Sequence, residues 1–283
     1  MSTTVIKAEK FLPILDGIYK KESLTSILDA NTKPDFSGVN TVKVMKVTTT
    51  GLGDYSKQDG YAEGNASLTW ESMKLEEDRS AAFDVDRMDD EETLGQAFGV
   101  ITGDFMHTHV GPEIDAYRFS KYAKTAGIGK GTGALADGAA VVSALRAGTA
   151  AMDEAEVPAQ DRVLFITPTL KGMIDDLDTT KSKKVLERFS AVIEVPQTRF
   201  YSDITLNSGA DAWGFAKAAD AKELNFLIVA KSAVVQAKKF ALPKIFDPDT
   251  NQKKDAWLFQ YRHYHDAFVY ENKVQGIYAH TTA

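Results

Sequence analysis

The fold is decided by residues 41–86, which read TVKVMKVTTTGLGDYSKQDGYAEGNASLTWESMKLEEDRSAAFDVD. The segment opens with an alternating apolar run whose phase shifts by one residue, consisting of Val42, Val44, Met45 and Val47. After a Gly-, Asp- and Asn-rich tip at residues 51–65, the chain returns with a second apolar run: Leu68, Trp70, Met73 and Leu75. Two such runs around a polar tip predict one long antiparallel hairpin.

A hairpin of this length cannot stabilise itself. An isolated two-stranded ribbon is marginal in water, because it has one hydrogen-bonded ladder and no layer to pack against. We therefore expect the ribbon to lie on another surface, and the simplest candidate is a second copy of the same chain. The segment thus predicts a protein that assembles.

Composition excludes several other classes of protein. The chain has 283 residues, a net charge of −7 and no cysteine. An acidic balance disfavours sequence-specific nucleic-acid binding, which needs a basic face, but it allows enclosure of nucleic acid. The lack of cysteine excludes disulfides, thiolate catalysis and cysteine-ligated metals. Residues 1–10 do not resemble a signal peptide, and no run approaches the roughly 18 apolar residues of a membrane span, so we expect a soluble intracellular protein without membrane partners.

The rest of the sequence predicts an α+β chain in a definite order of segments. Apolar residues at helical spacing predict a long helix after residue 87, with an interruption at Gly111-Pro112. Continuous apolar runs near residues 162–168 and 225–230 predict strands that are covered on both faces. The predicted segments are a thin arm (1–40), the hairpin loop (41–86), the long helix (87–130), a compact α/β unit (131–233), two long strands (234–272) and a closing strand (273–283).

The order of segments and two stretches of sequence are similar to those of a known family. The stretches are FDVDRMDDEE (83–92) and PEIDAYRF (112–119). Further likeness lies in residues 162–168, 261–266 and 272–280. The chain resembles major capsid proteins of tailed bacteriophages. That resemblance implies an N-terminal arm, an extended β-hairpin loop, a peripheral domain built on a spine helix and long strands, and an axial α/β domain.

The resemblance also implies a function and partners. The chain would assemble with itself into pentamers and hexamers of an icosahedral head, which encloses double-stranded DNA without sequence-specific binding. It would be found in the virion after assembly in the bacterial host cytoplasm. A separate scaffolding protein, a portal and decoration proteins would be further partners, and no cofactor is implied. Encapsulin compartments share this fold and are the alternative.

Two groups of residues are predicted to serve assembly. The hairpin would lie across the spine helix of a neighbouring subunit through Tyr55, Lys57, Tyr61, Leu68 and Trp70. Glycines permit unusual backbone angles, so the Gly-rich stretch is predicted to be a hinge between domains, formed by Gly127, Gly129, Gly131 and Gly133. A phosphate-binding loop is disfavoured, because Lys130 is followed by Gly131 where that motif needs Ser or Thr.

Metal chemistry is the remaining alternative. His263 and His265 lie two apart on a predicted strand and share a face, so with a third ligand they would bind zinc. They also continue an aromatic row, which favours packing. The acidic residues 84–92 fail the EF-hand pattern and suit a helix N-terminus. We predict no catalytic, cofactor or metal site, and a metal-dependent enzyme is the least favoured function.

Overall fold

The computed structural model describes residues 23–31, 40–58, 60–92, 97–177 and 180–283. A 3₁₀ helix at Leu24–Asn31 precedes strands β1 (Thr41–Thr49), β2 (Ala66–Lys74) and β3 (Glu77–Asp86). Helices α1 (Arg87–Glu92), α2 (Ala97–Phe105) and α3 (Gly111–Lys124) follow, with a π-helical turn at Met106–Val110. The next elements are β4 (Gly129–Thr132), α4 (Gly138–Glu154), β5 (Arg162–Ile166), α5 (Pro168–Asp176), α6 (Thr180–Leu186) and β6 (Ala191–Glu194). The last are β7 (Ile204–Leu206), β8 (Phe215–Lys217), β9 (Leu224–Ala230), β10 (Val234–Phe246), β11 (Ala256–Val269) and β12 (Ile277–Thr281).

The predicted hairpin is present but shorter than expected. Strands β1 and β2 pair antiparallel from Thr41 opposite Lys74 to Thr49 opposite Ala66. Residues 77–86, which we had assigned to the hairpin loop, instead form β3 and pair with β11 along their whole length. The reason is burial, because Val85 joins an apolar cluster that includes Phe259 on β11.

A three-stranded sheet in the order β10-β11-β3 packs against α2, the π-helical turn and α3. The interruption predicted at Gly111-Pro112 takes the form of this turn. Proline has no backbone N–H for the ordinary helical bond four residues back. The amide of Gly111 bonds to the carbonyl oxygen of Met106, five residues back, so the helix widens for one turn and continues into α3.

The compact α/β unit contains a five-stranded sheet in the order β4-β12-β9-β5-β6. Apolar side chains cover both faces, with Phe119 and Phe165 in one cluster and Leu145 and Leu164 in the other. This agrees with the continuous apolar runs of β5 and β9. The closing strand begins at Ile277 rather than at residue 273 as expected, because residues 271–276 form 3₁₀ turns first.

The part of the predicted arm that the structure describes, residues 23–31, is docked on α3. The buried carboxylate of Asp115 accepts hydrogen bonds from the hydroxyls of Ser23 (3.0 Å) and Thr25 (2.7 Å) and from the Leu24 and Thr25 amides. Leu28 enters the core beside the sheet. Residues 1–22 and 32–39 of that arm lie outside the described residues. Among the described residues, no helix has the length and apolar character needed to cross a membrane.

Candidate assembly surface

The two faces of the β1–β2 ribbon have different environments. At its base, Val42 is fully buried and packs with Met73, Leu75 and Ala237, which belongs to β10. One face of the ribbon is therefore attached to the subunit. Further along this inner face, the Lys46 ammonium lies 2.8 Å from a carboxylate oxygen of Glu271 and adds a second attachment.

The opposite face carries an uncovered apolar patch. Met45 pairs with Trp70, and Val47 pairs with Leu68, so these four side chains lie together. Their exposed fractions are 52%, 60%, 54% and 58%. We call this four-residue group the outer patch. A contiguous exposed apolar patch on one subunit often marks a protein–protein contact.

The phase shift in the first apolar run explains the two faces. Side chains alternate across a strand, so Val42 and Val44 lie on the inner face, whereas Met45 and Val47 lie on the outer face. The apolar packing of the inner face ends at this phase change, and the next inner-face residue, Lys46, pairs with Glu271 by charge. The predicted contact residues include Leu68 and Trp70 of the outer patch but not Met45 and Val47.

The tip of the ribbon holds the other predicted contact residues. Tyr55 and Tyr61 pack edge to face with ring centroids 5.3 Å apart, and both remain mostly exposed. Ser56 and Gly60 exchange backbone hydrogen bonds that close this turn. Lys57 is exposed at the same turn. The structure therefore brings Leu68 and Trp70 together in the outer patch and sets Tyr55, Lys57 and Tyr61 apart at the tip.

The glycines of the predicted hinge have two different structural roles. Gly127 and Gly133 have φ angles of +83° and +146°, which side chains rarely adopt. Gly129 and Gly131 instead lie in β4, paired with β12, and pack beneath the ring of Tyr278. A Cβ atom at Gly129 would stand 2.6 Å from Tyr278 Cδ2. Close packing against Tyr278 thus requires glycine at positions 129 and 131. That this segment acts as a hinge between domains stays a prediction.

The histidine pair is part of the packed interior. His263 and His265 are each 2% exposed, and their rings stack with centroids 4.3 Å apart. Burial lowers the pKa of His265 to about 3, with the positive charges of Arg118, Arg79 and Lys238 adding to the effect. Within the described ranges, no three His, Asp or Glu side chains converge as metal ligands. The arrangement is that of neutral packed imidazoles.

The acidic stretch before α1 has local partners. The Asp86 carboxylate accepts a hydrogen bond from the Met88 amide at 2.9 Å, which caps the start of α1. Asp84 pairs with Lys254 at 2.5 Å, and Arg87 pairs with Asp249 and with Asp255. These contacts agree with the interpretation of this stretch as a helix N-terminus.

Known proteins similar to this chain were found by comparison of structures and not by comparison of sequences. No protein-family model matches the sequence, and no curated protein matches it. The capsid structure of cyanophage P-SCSP1u superposes with a TM-score of 0.63 at 13% identity, covering 88% of this chain and 85% of that chain. The asymmetric unit of the bacteriophage PhiM1 mature capsid has a TM-score of 0.56 at 13% identity, covering 87% and 82%. A virus-like particle from Pyrococcus furiosus has a TM-score of 0.58 at 12% identity, covering 96% and 98%.

These similarities extend over most of both chains in each comparison. The chain therefore has the α+β fold of tailed-phage major capsid subunits.

Proposed function

We propose that this protein is the structural subunit of the icosahedral head of a tailed bacteriophage, and that it acts by association rather than by catalysis. The observation that supports this function best is the outer patch on a projecting ribbon in a capsid fold. A monomer would leave Trp70 and its three neighbours in water, whereas a shell would cover them. Head-to-tail contacts that close on themselves generate rings of five and six subunits.

The relation to DNA would be enclosure. A net charge of −7 disfavours the phosphate contacts on which sequence-specific binding depends, so filled shells would show no preference for DNA sequence. Assembly would take place in the bacterial host cytoplasm and end in the virion. A scaffolding protein, a portal and decoration proteins would be the other partners.

The first test is electron microscopy of the protein expressed alone in bacteria and then with a candidate scaffolding protein. We expect closed shells or free pentamers and hexamers. The variants Trp70→Asp and a deletion of residues 54–64 should each abolish them while the subunit stays folded by circular dichroism. A monodisperse monomer or dimer under all conditions, or unchanged shells from both variants, would contradict the proposal.

An encapsulin-type compartment is the second candidate, supported by the near-complete coverage of the Pyrococcus furiosus virus-like particle. The contents of purified shells distinguish the two functions. Genome-length DNA would support the phage head, whereas a single co-purifying protein inside nucleic-acid-free shells would support the compartment. A metal-dependent enzyme would require stoichiometric metal in the purified protein.

A further inference from the structure

The side-chain amide of Asn225 contacts both the closing strand and the segment that follows β4. Its nitrogen, Nδ2, lies 3.2 Å from the carbonyl oxygen of Gly133 and 3.0 Å from Nδ1 of His280. Asn225 belongs to β9 and His280 to β12, and these two strands are paired in the five-stranded sheet. Gly133 directly follows β4, and the chain runs from there to Asp137, which caps the start of α4. We call residues 133–137 the linker.

These two contacts define the protonation state of His280 in the folded subunit. The carbonyl oxygen of Gly133 can only accept a hydrogen bond, so it sets the orientation of the Asn225 amide, whose nitrogen can only donate. The second hydrogen of that nitrogen is then directed at Nδ1 of His280. Nδ1 must accept it, which requires a neutral imidazole that carries its proton on Nε2.

Uncharged groups surround the imidazole of His280. Its ring stacks on Phe226 of β9 with centroids 5.0 Å apart, and a Cβ atom at Gly131 of β4 would stand 2.8 Å from its Cδ2. Tyr278 lies on the same face of β12 and stays neutral, because burial raises its pKa. Lys130 alternates to the opposite face of β4. Burial alone lowers the pKa of His280, so within the described part of the chain no charged side chain accounts for the change.

Protonation of His280 would disrupt its contact with Asn225. If Nδ1 took a proton from water, its N–H group would face the N–H group of Asn225, and neither would have an acceptor. The amide could turn so that its oxygen accepts from the imidazolium. The same turn would direct that oxygen at the carbonyl oxygen of Gly133, and the hydrogen bond to the linker would be lost.

This hydrogen bond is one of two that hold Gly133. The other runs from the Gly133 amide to the carbonyl oxygen of Thr281 at 3.1 Å. The space beside the α-carbon of Gly133 is open, since a Cβ atom there would meet nothing within 4 Å. Loss of the bond from Asn225 would therefore leave the start of the linker with a single attachment to the sheet and with room to move.

We propose that Asn225 and His280 form a latch, which holds the linker on the sheet while His280 is neutral and releases it when His280 is protonated. Release would occur below the ordinary histidine pKa of about 6.5, because burial lowers the pKa of His280. The linker follows the stretch that contains Gly129 and Gly131, so the latch would control motion at the predicted hinge. This inference concerns the folded subunit and does not depend on shell formation.

Nuclear magnetic resonance of the unmodified, unassembled subunit tests the first step. Long-range couplings between the ring protons and nitrogens of His280 report which nitrogen carries the proton. At pH 7 we expect the proton on Nε2 alone, and as pH falls we expect Nδ1 to become protonated as the amide signals of residues 131–134 shift. A proton on Nδ1 at pH 7, or titration of His280 without a change at residues 131–134, would overturn the inference.

Hydrogen exchange at pH 7 and pH 5.5 tests the release, with rates corrected for the intrinsic effect of pH. In the wild type, the amides of residues 131–134 should exchange roughly fivefold faster at pH 5.5, whereas the β5 amides of residues 163–165 should stay protected and report on global opening. Asn225→Ala should give the faster exchange at both pH values. His280→Phe retains a ring beside Phe226 but cannot titrate, so it should give the slower exchange at both.

His109→Gln is the control, because it removes a histidine outside the sheet and should behave as the wild type does. Equal acceleration at pH 5.5 in the wild type and in His280→Phe would overturn the latch, as would acceleration that is equal at residues 131–134 and 163–165. If Asn225→Ala does not fold, the comparison of the wild type with His280→Phe decides the result. Neither measurement requires shells, so the proposed function and this inference can fail separately.

Discussion

His263 and His265 are buried as neutral side chains, and this has a consequence for stability at low pH. Burial lowers the pKa of both residues in the folded subunit, that of His265 to about 3. In the unfolded chain each would titrate near its ordinary pKa of about 6.5. Below that pH the unfolded state binds protons that the folded state does not, so the free energy of unfolding falls as pH decreases toward 3.

We therefore expect His265 to contribute a loss of about 2 kcal/mol between pH 7 and pH 5, and His263 to add a loss of the same sign. Urea unfolding of the unassembled subunit at several pH values measures this loss. His265→Gln should reduce the dependence on pH, whatever its effect on stability at pH 7. His107→Gln, at an exposed position outside the buried pair, serves as the control for the loss of a histidine. Parallel pH curves for the wild type and His265→Gln would contradict the argument.

Gly129 tests whether the Gly-rich segment is constrained by packing. Gly129→Ala places a methyl group against the Tyr278 ring, and overpacking of this kind costs about 1–3 kcal/mol. Gly172→Ala is the matched control, because it lies in helix α5 with open space around it and should be neutral or stabilising. Thermal unfolding of both variants measures the difference. Equal melting temperatures would show that the segment tolerates side chains, as a free hinge would.

At the scale of elements, Asp115 connects the described part of the arm to α3. Its carboxylate receives hydrogen bonds from Ser23, Leu24 and Thr25, and it pairs with Arg199 at 3.3 Å. Asp115→Asn removes the charge that faces these donors, and disruption of a buried pair costs roughly 3–5 kcal/mol. Chemical denaturation should show a loss of that size, and proteolysis within residues 23–31 should become faster.

Asp29→Asn is the control for this anchor. Asp29 lies in the same arm segment as Ser23 and pairs with Arg118 of α3. The Asp29 side chain is 42% exposed, so water replaces part of the interaction. We expect a smaller loss of stability than for Asp115→Asn. Equal losses from the two variants would show that the buried carboxylate has no special role in holding the segment.

Local patterns in the sequence predicted most of the elements, because those elements are stabilised by periodic burial. Strand β10 begins at Val234, where the sequence predicted the first of two long strands, and the π-helical turn lies directly before Gly111-Pro112. Strand β3 was assigned wrongly because its partner β11 lies about 180 residues away in the sequence. The roles of Gly129 and Gly131 were hidden for the same reason, since Tyr278 lies far away in the sequence.

The assembly surface could be predicted in part. Trp70 and Leu68 were recognisable as large apolar residues on a strand that cannot be covered locally. Met45 and Val47 required the cross-strand register, although the phase shift between Val44 and Met45 already indicated a change of face. The cavity beside β3, which Phe83 and Trp213 line, had no signal in the sequence, because it depends on a loop that Arg79 holds by donating hydrogen bonds to the carbonyl oxygens of residues 207 and 214.

At the scale of the whole molecule, we expect the inner face of the ribbon to stabilise the folded subunit and the outer face to bind other subunits. Val42 is fully buried on the inner face, so Val42→Ala should cost the subunit about 2 kcal/mol. Trp70 is 60% exposed on the outer face, so Trp70→Ala should change the free energy of unfolding by less than about 1 kcal/mol. The same substitution removes the largest side chain of the outer patch and should prevent shell formation.

Both variants would be measured by urea unfolding of the subunit and by the yield of shells in size-exclusion chromatography. Val42→Ala should still assemble under conditions where the subunit is folded, because the outer patch is intact. Trp70→Ala should remain folded and unassembled. The reverse pattern, with assembly lost through Val42→Ala and kept through Trp70→Ala, would mean that subunits associate through the inner face of the ribbon or through another surface.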